Sequence, residues 1–448
     1  MAQIAHSDEP TRPNIVFLLA DDMRHDDLSA LDPDRAETPH LDRLAAEGVR
    51  FTEARVTTAI CAVSRVSILT GQYARRHGIY GFRTPIGEQA WQQTYPMVLK
   101  RDGYKIGFVG KYGVNIWVPD EQKQYPKDDF DYWFVPGPGQ KRFLKDEHGH
   151  DVHYTQMMGR KAVEFLRQAG DEPFCLSLSF LAPHGSLDPN PDFVTRFEQD
   201  TVSPPATFGT KFYQMLPKPF HEHDIFGRDK FQQHMATYDD YQAFMRVRKN
   251  KVYGLDLVVG AIRLELERLG VADNTVIVFS SDHGYYSGEH GLNGKWWMHE
   301  ESVRTPMIVY DPRLPAATAG RKLDPMVLNI DIAPTILDYA GIESPAVMQG
   351  QSMKPFVDGL QVDDWRNEFF YEQHFDLSTT KSKLYIPPVE GVVGRQYKYM
   401  NYFQDDAEEL YDMTMDPSEV DNLVDDPDHQ QTLADMRDRF HELKRSTQ

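Results

Sequence analysis

Four runs of consecutive apolar residues punctuate the chain: NIVFLLA at 14–20, IGFVG at 106–110, FCLSLSFLA at 174–182 and TVIVFSS at 275–281. A strand with one wet face alternates polar and apolar residues, so unbroken runs of this length fit strands buried on both faces. Between them, apolar residues recur every three or four positions in LDRLAAEGV (41–49), YTQMMGRKAVEFLRQAG (154–170) and VYGLDLVVGAIRLELERLG (252–270). That spacing builds one face of a helix. Buried strands alternating with amphipathic helices predict an α/β fold, a large and mostly parallel sheet sandwiched by helices. Residues 186–245 break the rhythm with prolines, aromatics and histidines, as in PPATFGTKFYQMLPKPFHEHD. They predict a substrate-side insertion over one edge of the sheet. Beyond about 345 the pattern shortens to EFFYEQHF, GVVGRQYKYMNYF and EELYDM, then HQQTLADMRDRFHELKR. This predicts a smaller antiparallel sheet closed by a helix. The expected division is a catalytic domain over 1–345 and a C-terminal α+β subdomain over 346–448.

Each long run is followed at once by a polar group. Asp21 and Asp22 follow the first, Lys111 the second, His184 the third, and Asp282 and His283 the fourth. Open parallel sheets bind ligands outside the carboxyl ends of their strands, so these groups are expected on one rim. Taken singly, an aspartate after a strand is equally a helix cap. Adjacent Asp21 and Asp22 repel each other unless a cation lies between them. Three carboxylates with a histidine suit a hard divalent ion, Ca²⁺ more readily than Zn²⁺. Arg65, Lys111, His184 and Lys295, the last in GLNGKWWMHEESVRTPMIV, then surround an anion beside the metal.

In TTAICAVSRVSILTGQ (57–72), Cys61 precedes a helical pattern and Arg65 lies one turn on. A thiol at the positive end of a helix beside a guanidinium is acidified and reactive. The competing reading is a buried structural cysteine, the usual fate of a free thiol.

Composition narrows the partners. A formal charge of −20 disfavours nucleic acid and anionic membrane, which need a basic face, yet leaves room for a small anionic substrate held by a local cluster. Two cysteines make no disulfide framework. No run is long enough to span a bilayer. The start, MAQIAHSDEP, lacks a basic segment followed by an apolar one. The periplasm or exterior is the expected compartment if a signal segment precedes it.

The motifs PNIVFLLADD, CAVSRVSILTG, GYKIGFVGK, APHG, SSDHG, GKWWMHEESVRTPMIV, DIAPTILDYAGI and ELYDMTMDPSEVDNL together resemble the type I sulfatases of the alkaline-phosphatase-like superfamily, in that family's order. The resemblance implies that Cys61 is oxidised to formylglycine by a maturation enzyme, and that its hydrate acts as nucleophile. It implies that Asp21, Asp22, Asp282 and His283, with modified Cys61, hold Ca²⁺. Arg65 would hold the hydrate, and Lys111, His184 and Lys295 would bind sulfate oxygens. The implied reaction is hydrolysis of a sulfate monoester, on a carbohydrate given the insertion and the C-terminal appendage. A phosphonate monoester or phosphodiester hydrolase of the same superfamily is the first alternative. The second is a non-catalytic binder of sulfated glycans with Cys61 unconverted. Two positions depart from the family. Val63 stands where the maturation signature usually has proline or alanine, and Gly113 where a histidine usually follows the lysine by two residues. His77 and His299 are the candidates to supply that missing contact.

Overall fold

The computed structural model describes residues 12–117, 126–136, 142–185, 188–375 and 384–448. Eight strands form the main sheet: β1 (Asn14–Ala20), β2 (Val49–Arg55), β3 (Lys105–Gly110), β4 (Tyr132–Phe134), β5 (Phe174–Ser179), β6 (Thr275–Ser281), β7 (Met307–Tyr310) and β8 (Arg321–Leu328). Their order is β8-β2-β7-β6-β1-β5-β3-β4. Every pairing is parallel except those of β7, which runs antiparallel to both β6 and β2.

The unbroken apolar run of β1 now has its cause. Ile15, Phe17 and Leu19 pack on one side with Val66, Ile68 and Leu69 of helix α2 (Cys61–Thr70) and with Ile332 and Ile336. Val16, Leu18 and Ala20 pack on the other side, against helix α1 (Pro39–Glu47), helix α3 (Tyr154–Gln168) and helix α4 (Tyr238–Arg268). Both faces of the strand are dry, so neither can carry a polar alternation.

Helix α4 starts well before the predicted apolar pattern. A capping box between Thr237 and Asp240 opens it at Tyr238. Its first half hides charged residues alongside Tyr241 and Met245, since Arg248 pairs with Asp27 and Lys249 with Asp200. The 3.6-residue apolar signal is blind to such a face.

The insertion also sits differently from expectation. Of residues 186–245, 186–187 lie outside the described residues and 238–245 belong to α4. Residues 190–202 pack on α4, through Asn190 to Asn250 and through Phe193 and Phe197 to Tyr253, and later residues reach the loop that carries Lys295 and the C-terminal part. Phe208 bridges to Glu289, Ile225 to Tyr385, and Gly227 lies against the Trp297 ring.

Four consecutive antiparallel strands, Glu368–Gln373, Val389–Gly394, Tyr397–Tyr402 and Ala407–Asp412, form the small C-terminal sheet. The final helix, Gln430–Ser446, closes it with Leu433 and Phe440. Residues 353–357 still pack in the core of the large sheet, so the small sheet itself begins at Glu368.

Candidate active site

The rim is laced by backbone bonds between neighbouring strand ends. The Asp21 amide donates to the Ala182 carbonyl (3.1 Å), the Asp282 amide to Ala20 (3.1 Å) and the Lys111 amide to Ser179 (2.7 Å). The chain leaving β1, β3, β5 and β6 therefore delivers its first polar side chains to one place. Gly110, at φ 106°, is required there: a Cβ would meet the Ser179 carbonyl oxygen at 1.9 Å. Asp22 itself adopts φ 71°, and its carbonyl accepts from Arg248 Nη2 at 2.5 Å.

Helix α2 brings Cys61 to this rim. The helix is buried along its whole length, and its C-terminus closes on Gly71 in the left-handed conformation. Its first intrahelical bond runs from the Ser64 amide to Ile60, so the amides before it face the rim with the positive end of the helix dipole. Cys61 Sγ lies 3.0 Å from Lys295 Nζ and 3.2 Å from His283 Nε2. Four residues on, Arg65 Nε donates to Asp282 Oδ2 (2.9 Å), and Nη1 donates to the Lys111 carbonyl (2.9 Å) and to Ser179 Oγ. Lys111 Nζ pairs with Asp21 Oδ2, and Lys295 Nζ with Asp22 Oδ1 at 2.5 Å. His184 Nε2 approaches Asp22 Oδ2 at 3.9 Å.

The charges answer one another. Burial raises the Asp21 carboxyl, but Lys111, His184, Arg65 and Lys295 outweigh it and hold the group well below the usual carboxylate range. Burial also opposes ionisation of Asp22, which Lys295 and His184 nevertheless bring down to about 2. His184 is pushed down to about 4 by burial, against the pull of Asp22 and Asp21. His283 goes the other way, to about 9: burial disfavours the imidazolium but the Asp282 carboxylate more than offsets it.

The donor set fits a hard dication. Atoms of Asp21, Cys61, Asp282 and His283 lie within 4.8 Å of one another, and so do atoms of Asp21, Asp22, Cys61 and His184. Asp21 Oδ1 is buried and receives no hydrogen bond among the described residues, which leaves an anionic oxygen in want of a cation.

Nine predicted site residues are thus brought together: Asp21, Asp22, Cys61, Arg65, Lys111, His184, Asp282, His283 and Lys295. Two are not. His77 lies behind α2, where Nε2 meets Ser67 Oγ (3.0 Å) and Nδ1 accepts the Ile79 amide (3.2 Å). Burial holds it down to about 3, and its role is to tie the turn after α2. His299 is 0% exposed, bonded through Nδ1 to the Tyr286 hydroxyl (2.7 Å) and stacked on His290. Neither ring bonds to any of the nine residues gathered at the rim. Gly113 therefore has no replacement in these two histidines. It sits at φ 73°, and a Cβ there would press on Arg65 Cδ at 3.2 Å.

Three supports carried little or no sequence signal. Ser64 Oγ donates to the Asp282 carbonyl (2.5 Å) and accepts from Asn329 Nδ2 (2.9 Å), fixing the strand end against α2. Ser64 stands inside the cysteine motif, but Asn329 and Arg248 lie far along the chain with no local motif around them.

With this geometry in place, the comparison with known proteins is decisive. Residues 13–342 match the sulfatase family model, and residues 288–446 match the C-terminal region of N-sulphoglucosamine sulphohydrolase. The chain belongs to the sulfatase family. As such it is a sulfuric ester hydrolase of the alkaline-phosphatase-like superfamily. The sulfatase is 28% identical to an N-acetylglucosamine-6-O-sulfatase of Bacteroides thetaiotaomicron, over 93% of this chain and 83% of that one. It is 26% identical to an arylsulfatase of Clostridium perfringens, over 95% and 93%. Among solved structures, one complex with its substrate D-glucosamine-2-N,6-O-disulfate superposes with a TM-score of 0.81 at 25% identity, covering 97% of this chain and 98% of that one. The phosphonate monoester hydrolase of Agrobacterium radiobacter shares the fold at a TM-score of 0.83 and 22% identity, over 98% and 96%.

Proposed function

We propose that the sulfatase hydrolyses a sulfate monoester on an amino sugar of glycosaminoglycan type, through residue 61 and with a bound Ca²⁺. The observation that carries this reading is the Cys61 thiol standing inside the cation and carboxylate cluster, at 3.0 Å from Lys295 and 3.2 Å from His283. A merely structural cysteine has no need of that company. The relatives named N-acetylglucosamine-6-O-sulfatase and N-acetylglucosamine-6-sulfatase, and the neighbour bound to D-glucosamine-2-N,6-O-disulfate, support the substrate class.

Conversion of Cys61 to formylglycine would supply a hydrate hydroxyl as nucleophile and a carbonyl whose re-formation expels sulfate. Asp21, Asp22, Asp282 and His283 would hold Ca²⁺, which offsets negative charge on the sulfate oxygens. The chain's own residues do the rest. Arg65 orients residue 61 and is itself fixed by Asp282 and the Lys111 carbonyl. Lys111 and Lys295 bind sulfate oxygens, where preorganised cations lower the cost of charge that develops in the transition state. His184 is kept neutral by burial in the free site; the negative charge of bound sulfate favours a proton on Nε2, which then serves the departing alcohol oxygen. With no histidine at 113, the leaving-group side depends on His184 alone among the residues assigned here.

The test is a substrate panel run on protein matured in its native host: glucosamine 6-O-sulfate, an aryl sulfate, a phosphonate monoester and a phosphodiester. Sulfate release from the sugar with kcat/KM well above that for both phosphorus esters is the expected result. Preference for the phosphonate would overturn it, and tight sulfated-sugar binding without turnover would assign the non-catalytic role.

A further inference from the structure

One buried cation at this rim makes no ion pair with any described carboxylate. Lys251 lies on α4 and is only 4% exposed. The other lysines buried among the described residues all reach carboxylates: Lys249 reaches Asp200 (2.6 Å), Lys295 reaches Asp22 (2.5 Å), and Lys398 reaches Glu300 (2.8 Å) and Glu419 (2.7 Å). No described carboxylate comes within 4.0 Å of Lys251. Its ammonium donates to one neutral acceptor, the His184 carbonyl, at 3.2 Å. An ammonium has three donors, and burying one without an anion is costly. Folding tolerates such a group at a place where a ligand supplies the missing charge.

The surroundings say which ligand. Arg248, one turn earlier, is committed to Asp27 and to the Asp22 carbonyl. Arg142 is committed to Asp188 at 2.7 Å. Both guanidiniums act on Lys251, against the carboxylates of Asp22 and Asp188 that lie beyond ion-pair distance. Asn250 pins the adjoining segment through both polar groups of the Asn190 backbone (2.7 and 3.0 Å), which fixes that segment against α4. His184 spans the distance to the reaction site: its ring faces Asp22 while its carbonyl faces the Lys251 ammonium. The two cation sites are therefore one residue's length apart, within reach of two substituents on a single sugar or on adjoining sugars.

We propose that Lys251 forms a second oxyanion subsite, which receives a sulfate or carboxylate group on the same substrate molecule as the sulfate ester being cleaved. The subsite rests on the sulfatase activity proposed above and deepens it. It makes the enzyme selective for sugars that carry two negative groups.

The experiment compares native-host wild type with Lys251→Met and Lys251→Arg. The substrates are glucosamine 6-O-sulfate, glucosamine 2-N,6-O-disulfate, and a glucosamine 6-O-sulfate linked to a uronic acid, so that a second sulfate and a carboxylate are read separately. Wild type is expected to favour one or both dianionic substrates. Lys251→Met should cut that preference ratio about 10- to 100-fold, the usual scale for a charge-assisted hydrogen bond, with the change mainly in KM, while Lys251→Arg retains most of it. Calorimetric binding of the same sugars to Cys61→Ala protein, with and without Lys251→Met, reads the subsite without turnover. Equal losses on mono- and dianionic sugars, or an unchanged ratio, would mean that Lys251 only braces the His184 loop. Wild type that cleaves no sulfate would count against the proposed activity alone, since the binding comparison still decides the subsite.

Discussion

Replacing Arg248 by methionine removes the side chain that binds the carbonyl of the left-handed residue Asp22. Arg248 Nη2 donates to the Asp22 carbonyl at 2.5 Å and pairs with Asp27, which is fully buried. Breaking a buried ion pair by deleting one partner costs about 3–5 kcal/mol, because the other charge stays behind. Asp27 keeps the Arg24 amide (3.0 Å) and Arg35 at 3.9 Å, so the lower end applies, about 3 kcal/mol. Unfolding entropy near 2.1 cal/mol/K per residue over 448 residues amounts to about 0.9 kcal/mol/K, which converts this loss into a Tm decrease of about 3 °C. Activity should suffer more than stability, since a shift of about 1 Å in a reacting group costs about 10²-fold. The assay is calorimetric unfolding with turnover of an aryl sulfate, on Arg248→Met, Asp27→Asn and the double variant. The double variant should be less destabilised than the sum of the singles by about 1–3 kcal/mol. Strict additivity, or wild-type Tm and turnover in Arg248→Met, would refute the argument.

Other expectations follow from the same geometry. Asp282→Ala should lower bound Ca²⁺, measured by elemental analysis, together with activity and thermal stability; unchanged metal and activity would remove Asp282 from the site. Lys111→Ala and Lys295→Ala should each lower kcat by about 10²–10³, with a Tm loss of only about 3 °C from the buried carboxylate each leaves behind; a larger Tm loss with unchanged kcat would make them structural. Cys61→Ala should fold and bind Ca²⁺ yet show no turnover. Val63→Pro should raise the converted fraction of Cys61, read by mass spectrometry; its amide lies before the first intrahelical bond, so proline forfeits nothing there. Burial pushes Asp256 up to about 7 while it accepts the His40 and Leu41 amides. Between about pH 4 and 7 the folded state keeps a proton that the unfolded state has shed, so this contribution to stability falls as pH rises through the window. Asp256→Asn should flatten that slope in denaturant titrations.

Much of the site was legible because its residues directly follow apolar strands, and a strand end is easy to recognise when both faces are dry. Strands β1 and β6 matched the apolar runs at 14–20 and 275–281. Strands β2 and β8 escaped. VRFTEAR mixes charges into a strand one place in from the sheet edge, and RKLDPMVL, the edge strand, carries a proline where its register slips between Leu323 and Met326. His77 and His299, offered in place of the histidine absent at 113, make their bonds away from the rim, to Ser67 and Ile79 and to Tyr286. The sequence says nothing about which side of a helix or loop a ring occupies. Arg248, Asn329 and Lys251 were invisible because long-range pairing, not local pattern, gives them their roles.

The sheet order also sets a schedule. β1 lies at the centre between β5 and β6, with Asn14 paired to Thr275, so the first strand made waits for one that emerges some 260 residues later. At synthesis rates of about 5–20 residues per second that wait lasts roughly 13 to 50 seconds. Cys61 is 2% exposed once the molecule is complete, and its neighbours His283 and Lys295 arrive only after β6. An enzyme that modifies this thiol must therefore reach it while the chain is still being made or before it closes, and slower or faster translation through residues 61–295 should change the fraction converted.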